Sequence, residues 1–140
     1  MTESFAFYVT VLRKLFTQFC TEKLAEINVT YGQLFILIFV GKKETCSPKE
    51  ISLALKLDAG HLNRTLSKLT ENGLLKQKKN EKDKRANIIS LTPKGQKAFE
   101  MSHDLFYEWD KVILNPLSDN EKQNLMELMK KIAFSQNGRF

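Results

Sequence analysis

Apolar residues recur at helical spacing through the first part of the chain. Phe5, Tyr8, Val9, Leu12, Phe16, Phe19, Leu24 and Ile27 follow the three-and-four rhythm that lines up one face of a helix, which predicts a helix over residues 4–27. The stripe is longer and richer in Phe than a short helix on a small core needs, so it also predicts a partner surface. Further on, helix starts are marked by chemistry as well as by period. A helix leaves its first N–H groups unpaired; a Ser, Thr or Asp side chain accepts from them, and a Glu or Gln three residues later bonds back. Thr30-Tyr31-Gly32-Gln33, Ser47-Pro48-Lys49-Glu50 and Ser118-Asp119-Asn120-Glu121 all fit that box. They predict helices to about Val40, to about Leu57, and from Ser118 onward with Leu125, Leu128, Met129 and Ile132 turned inward. Asp58 starts another helix without the box, running through Asn72 to a stop at Gly73.

After Gly73 the period shortens. Leu74 to Lys79 and Ala86 to Leu91 predict two short strands around the polar loop 80–85, a hairpin with a charged tip. Thr92-Pro93 then starts a long helix to about Leu114, stopped by Asn115-Pro116. The expected fold is mainly α with a small β-hairpin, in the order four helices, hairpin, two helices. A chain of 140 residues, 42% hydrophobic and 27% charged, fits one domain with one modest core.

Charge changes the picture, because the formal excess of +6 is unevenly placed. Residues 58–97 hold ten Lys/Arg against four Asp/Glu, whereas residues 98–140 hold five against seven. A cationic block of forty residues is the footprint of an element that meets a polyanion. Within it, helices 47–57 and 58–72 are joined by a tight turn. The second carries Leu62, Leu66 and Leu69 on one face and His61, Asn63, Arg64, Ser67, Lys68 and Glu71 on the other. Taken alone, such a polar face is the ordinary solvated side of a helix. In a helix-turn-helix it enters a DNA major groove instead. There Arg64 reaches two acceptors of a guanine or phosphate, Asn63 suits adenine, and Ser47, Ser67 and Lys68 suit phosphates. Gly60 and His61 complete the candidate DNA-facing set.

The hairpin decides between the two readings. Its region holds Lys78, Lys79, Lys82, Lys84 and Arg85, opposed only by Glu81 and Asp83. Arg85 suits a narrow minor groove, and Asp83, two residues earlier, suits a bidentate pair with its guanidinium. The competing reading is a helical adaptor whose basic hairpin meets an acidic protein.

Other chemistries find little support. Two cysteines are too few for a disulfide framework. Cys20, among Phe16, Phe19 and Leu24, reads as packing rather than as an oxidant sensor; Cys46 precedes a helix start, where a thiolate gains stability, and is a weak sensor candidate. His61 and His103 have no partner at zinc spacing, and no phosphate loop or nucleophile–base pattern occurs, so neither a metal, a cofactor nor an enzyme is expected. The longest apolar run, Leu34 to Gly41, is too short for a bilayer, and no basic-then-apolar leader is visible, so a cytoplasmic protein without membrane contact is expected. Phe5, Tyr8, Phe99, Phe106, Tyr107 and Trp109 read as core or as the walls of an apolar ligand pocket.

The stretch Thr30 to Gly95 resembles the MarR (multiple antibiotic resistance regulator) family of winged helix-turn-helix repressors. The resemblance is carried by residues 30–37 (TYGQLFIL), residues 58–69 (DAGHLNRTLSKL), Gly73-Leu74-Leu75, Asp83-Lys84-Arg85 and Leu91-Thr92-Pro93-Lys94-Gly95. It departs at Gln77, where family members often carry an Arg that supports the wing aspartate. It implies a single domain over 1–140, with a DNA-binding lobe at 30–95 and dimerisation helices at 1–29 and 96–140. It also implies a homodimer on a pseudo-palindromic operator of double-stranded DNA, autoregulation, and release by a small aromatic or other ligand. Asn63 and Arg64 carry over to the recognition helix, Asp83 and Arg85 to the wing.

Overall fold

The computed structural model describes residues 3–82 and 87–135; the expectations for Asp83, Lys84, Arg85 and Ala86 fall outside the described residues. Six α-helices are present among them: α1 (Phe5–Leu24), α2 (Tyr31–Lys43), α3 (Pro48–Leu55), α4 (Ala59–Glu71), α5 (Pro93–Ile113) and α6 (Asp119–Phe134). The strands are β1 (Thr45–Cys46), β2 (Leu75–Lys79) and β3 (Asn87–Leu91), and a single 3-10 turn, Ala25–Ile27, follows α1. Residues 1–106 and 107–140 form two compact units.

The helix starts are where the capping chemistry puts them. Gln33 N–H donates to Thr30 Oγ1 at 3.2 Å while Thr30 N–H donates to Gln33 Oε1 at 3.1 Å. The boxes Ser47/Glu50 and Ser118/Glu121 close in both directions in the same way. Asp58 accepts from His61 N–H at 3.0 Å. Ser4 caps α1 by accepting from Phe7 N–H at 3.1 Å, a cap that hydrophobic periodicity does not reveal.

The sheet is larger than the expected hairpin. Its order is β1-β3-β2, antiparallel throughout, with Cys46 opposite Ile89 and Leu75 opposite Leu91. Two residues are too short a strand to show a period, so β1 was illegible in the sequence.

The core of the first unit gathers one face from each element. Leu34, Leu37 and Val40 of α2, Ile51 of α3, Leu62, Leu66 and Leu69 of α4, and Leu75 and Ile89 of the sheet are buried together. Phe16 meets Tyr31 and Phe106 with ring centroids 6.3 and 5.1 Å apart, and Tyr31 meets Phe35 edge-on at 5.1 Å. These aromatic side chains are core. The N-terminal half of α1 differs: Phe5, Tyr8 and Leu12 are 59%, 49% and 44% exposed. In the second unit Leu128, Met129 and Ile132 are exposed rather than turned inward.

The end of α4 is fixed by backbone geometry. Gly73 takes φ +76°, Gly73 N–H donates to Thr70 O and Leu74 N–H to Leu69 O, each at 3.0 Å. This is a Schellman ending, which a residue with a Cβ adopts only under strain. Gly73→Ala is expected to lower stability by about 1–2 kcal/mol, or roughly 3–8 °C in melting temperature, and Gly73→Asn by less. Thermal unfolding followed by circular dichroism checks the order of the three proteins.

Candidate nucleic-acid interface

The turn between α3 and α4 is short and tied on both sides. Lys56 takes the left-handed conformation (φ +54°), Leu57 N–H donates to Ser52 O at 3.1 Å, and Ser52 Oγ donates to Leu57 O at 2.6 Å. Asp58 then starts α4 at once. The turn therefore fixes how the second helix leaves the first.

On α4, burial divides the helix cleanly. Leu62, Leu66 and Leu69 are at most 2% exposed, while Gly60, His61, Asn63, Arg64, Ser67, Lys68 and Glu71 are exposed. The polar set divides again by helical spacing. His61, Arg64, Thr65 and Lys68 line a groove of about 270 Å³ together with Thr30, Gly32 and Gln33 at the start of α2. Gly60, Asn63 and Ser67 do not line that groove. A Cβ at position 60 would sit tightly, at 3.2 Å, against an Asp58 carboxylate oxygen and in ordinary contact, at 3.5 Å, with an Arg64 guanidinium nitrogen.

Sequence reasoning missed the α2 contribution. The Thr30 box was legible only as a helix start; that its N-terminus borders the same groove as Arg64 and Lys68 follows from the fold. Two basic side chains and the positive end of a helix dipole converge there, an arrangement suited to an oxyanion.

Ser47 sits at the cap of α3, half-buried, with Oγ accepting from Glu50 N–H at 3.1 Å. On the hairpin, Lys76, Lys78, Lys79 and Lys82 are exposed, and Lys82 N–H donates to Asn80 Oδ1 at 3.0 Å, starting the turn at the tip. Gln77 ties the hairpin to α4: its Nε2 donates to Thr70 Oγ1 at 3.0 Å, and its Oε1 accepts from Asn87 Nδ2 at 3.4 Å. Asp83, Lys84 and Arg85 lie outside the described residues.

The cysteines are both buried and free. Burial pushes the Cys20 thiol up to about 11. Cys46 is also raised to about 11, first by burial and then by the Glu50 carboxylate, with Lys43 opposing. The helix start beside Cys46 thus does not make it a stabilised thiolate: its place in β1, paired with Ile89, removes it from water. Among the described residues no three His, Cys, Asp or Glu side chains are grouped to hold a metal ion. No single described helix is long and apolar enough to cross a membrane.

A helix pair joined by a tied turn, followed by a cationic hairpin and flanked by long helices, defines a winged helix-turn-helix protein. Residues 29–95 match the family model described as a winged helix DNA-binding domain. The chain is similar to the HTH-type transcriptional regulator BilQ of Clostridium symbiosum, with 40% identity over 95% of this chain and 92% of that protein. Its fold is similar to the reduced form of MarR from E. coli (TM-score 0.86, 24% identity, 94% and 98% of the two chains). A mutant of that same protein complexed with operator DNA also superposes, at TM-score 0.76 and 24% identity over 91% of each chain. The chain belongs to the MarR family of winged helix-turn-helix proteins, and its function is that of a DNA-binding transcriptional regulator.

The raised thiols predict a sign. Below about pH 9 folded and unfolded chains both hold the thiol protons; between about 9 and 11 the unfolded chain releases them and the folded chain does not. Stability is therefore expected to fall as pH rises through that window, and less so in Cys20→Ala/Cys46→Ala measured against its own neutral baseline. At pH 8 a disulfide reagent is expected to modify the native thiols far more slowly than the denaturant-unfolded ones; equal rates would contradict the burial.

Proposed function

We propose that this chain is a repressor that binds a pseudo-palindromic operator as a homodimer and leaves it on meeting a small aromatic or other small-molecule ligand. One observation carries the reading: α4 buries Leu62, Leu66 and Leu69 while presenting Asn63, Arg64, Ser67 and Lys68 outward, within the most cationic block of the sequence. In this reading the chain is one domain, with a DNA-binding lobe at 30–95 and dimerisation helices at 1–29 and 96–140. It acts in the cytoplasm without cofactor or catalysis.

Each residue then has a role. Asn63 and Arg64 meet base edges, with Gly60 and His61 beside them. Ser47, Ser67 and Lys68 meet phosphates, joined by the start of α2. Lys82, Asp83, Lys84 and Arg85 form the wing, Arg85 entering the minor groove. The operator complex of the E. coli MarR mutant supports this use of the shared fold. Dimerisation is supported by the exposed apolar side chains of α1 (Phe5, Tyr8, Leu12) and α6 (Leu128, Met129, Ile132). Large apolar faces left by a single chain mark association surfaces.

The DNA reading is tested by gel shift on the DNA upstream of the chain's own gene. Arg64→Ala is expected to lose about 1–3 kcal/mol and to relax sequence preference, whereas Lys68→Ala weakens all sequences alike and flattens the salt dependence by about one charge. Arg85→Ala weakens binding as well. Equal affinity for that DNA and for scrambled DNA would sink the specific-regulator reading.

The dimer is tested separately by sedimentation. Leu12→Glu is expected to shift the chain from dimer to monomer at micromolar concentration and to weaken operator binding without unfolding it. A wild-type chain that sediments as a monomer would remove the two-fold geometry from the proposal.

A further inference from the structure

The sheet is three strands wide only at the base of the hairpin. β1 pairs with β3 at Ser90 and Ile89 and goes no further, so beyond the Gln77–Ile89 pair β2 and β3 run as two strands alone. A two-stranded ribbon is marginally stable by itself. Gln77 stands at that transition and reaches out of the sheet: its Nε2 donates to Thr70 Oγ1, in the last turn of α4, at 3.0 Å. Thr70 Oγ1 in turn donates to the carbonyl of the buried Leu66 at 2.7 Å. A hydroxyl has one proton, and Leu66 O takes it, so toward Gln77 the Thr70 oxygen can only accept. The amide of Gln77 therefore turns its NH2 to α4 and its oxygen to β3. There Oε1 accepts from Nδ2 of Asn87, its diagonal neighbour on the same face, at 3.4 Å. The donors run one way, from Asn87 to Gln77 to Thr70 to Leu66, linking the outer end of β3 to the buried side of α4.

Resting on the DNA-binding reading above, we propose that Gln77 is a positioning residue for DNA. It pins the two-stranded part of the hairpin to α4, so that the hairpin lysines and Arg64 meet one duplex together. Lys78, Lys79 and Lys82 are exposed on that part of the hairpin. An unpinned ribbon would have to be ordered each time the chain met DNA, and the lost entropy would weaken binding. Pinned beforehand, the lysines add their phosphate contacts without that loss. Gln77 needs no contact with DNA for this role. The relay also explains why an amide fits here. A methionine of similar length offers Thr70 no proton. A carboxylate would leave the Thr70 hydroxyl facing two acceptors with one proton to give.

The test uses the full chain and the DNA upstream of its own gene. Gln77→Met and Thr70→Val each remove one partner at similar size, and Thr70→Ser keeps the hydroxyl. Either of the first two is expected to weaken binding at least fivefold. The slope of log affinity against log salt should become shallower by about one, as a hairpin phosphate contact is lost. The double variant should bind no more weakly than either single one, and Thr70→Ser should stay within about twofold of the native chain. Relative affinities for DNA substituted under α4 should not change, because Asn63 and Arg64 keep their places. Melting temperature should fall by about 4 °C or less, since one exposed neutral bond is lost. Without DNA, amide resonances of residues 76–79 and 87–89 are expected to move in Thr70→Val. Additive losses, an unchanged salt slope, relaxed base preference, or hairpin resonances that stay in place would overturn the proposal. Moved hairpin resonances in a chain that binds this DNA and scrambled DNA equally would instead overturn the operator reading and leave the coupling of hairpin to α4 standing.

Discussion

The carbonyl groups that end α4 must be satisfied, and the residues that begin α5 satisfy them. A helix end leaves its last carbonyls without intrahelical partners. Here the Schellman turn at Gly73 uses Leu69 O and Thr70 O, and Thr92 and Lys94 take the next carbonyls along, those of Asn72, Gly73 and Leu74. Thr92 serves both helices at once, because its Oγ1 also accepts from Gly95 N–H at 2.9 Å and so caps α5. Gly95 closes the joint: any Cβ there would strike the Leu74 carbonyl. A single such bond contributes about 1 kcal/mol net, and only at the buried Leu74 would an unpaired carbonyl cost more. The direction of α4, and with it the display of Asn63 and Arg64, depends on that joint.

A second tie fixes the hairpin to the same helix. Gln77, on β2, donates to Thr70 Oγ1, whose own hydroxyl donates to Leu66 O at 2.7 Å. The position that family members often fill with Arg therefore holds a neutral amide bonded to α4 and to Asn87. Gln77 brings alignment between strand and helix. The two attachments, Gln77 near the middle of β2 and Thr92 after β3, bracket the hairpin at its base.

Most of the architecture was readable because its signals are local. The three capping boxes, the Asp58 cap and the Gly73 stop each depend on residues within a turn of one another, and each fell where the chemistry put it. The division of α4 into a leucine face and a polar face was equally legible, since period alone separates Leu62, Leu66 and Leu69 from Arg64 and Lys68. What escaped depends on distant pairing. β1 exists only because Thr45 and Cys46 lie against Ser90 and Ile89, more than forty residues away. The same pairing buries Cys46 and reverses the expectation drawn from its neighbouring helix start. The groove shared by Thr30, Arg64 and Lys68 joins two helices whose sequences carry no mark of each other. The inward turn expected for α6 rested on helical period, which marks an apolar stripe but not what covers it, and Leu128, Met129 and Ile132 are exposed.

Charge placement reconciles two demands of the proposed dimer. Two copies of a chain with net charge +6 repel, yet the exposed apolar side chains of α1 and α6 need a partner. Most of the excess lies elsewhere: residues 58–97 carry a net +6, whereas residues 1–57 carry +2 and residues 98–140 carry −2. Half-sites on a duplex are about 34 Å apart, several times the screening length of about 10 Å at 0.1 M salt, so two cationic lobes spaced to match them feel little of each other. Each lobe meanwhile faces a duplex bearing one negative charge per ~1.7 Å of axis, close enough that screening does not remove the attraction. Association through the terminal helices and electrostatic capture of DNA through the lobes then do not compete, because the sequence assigns them to different residues.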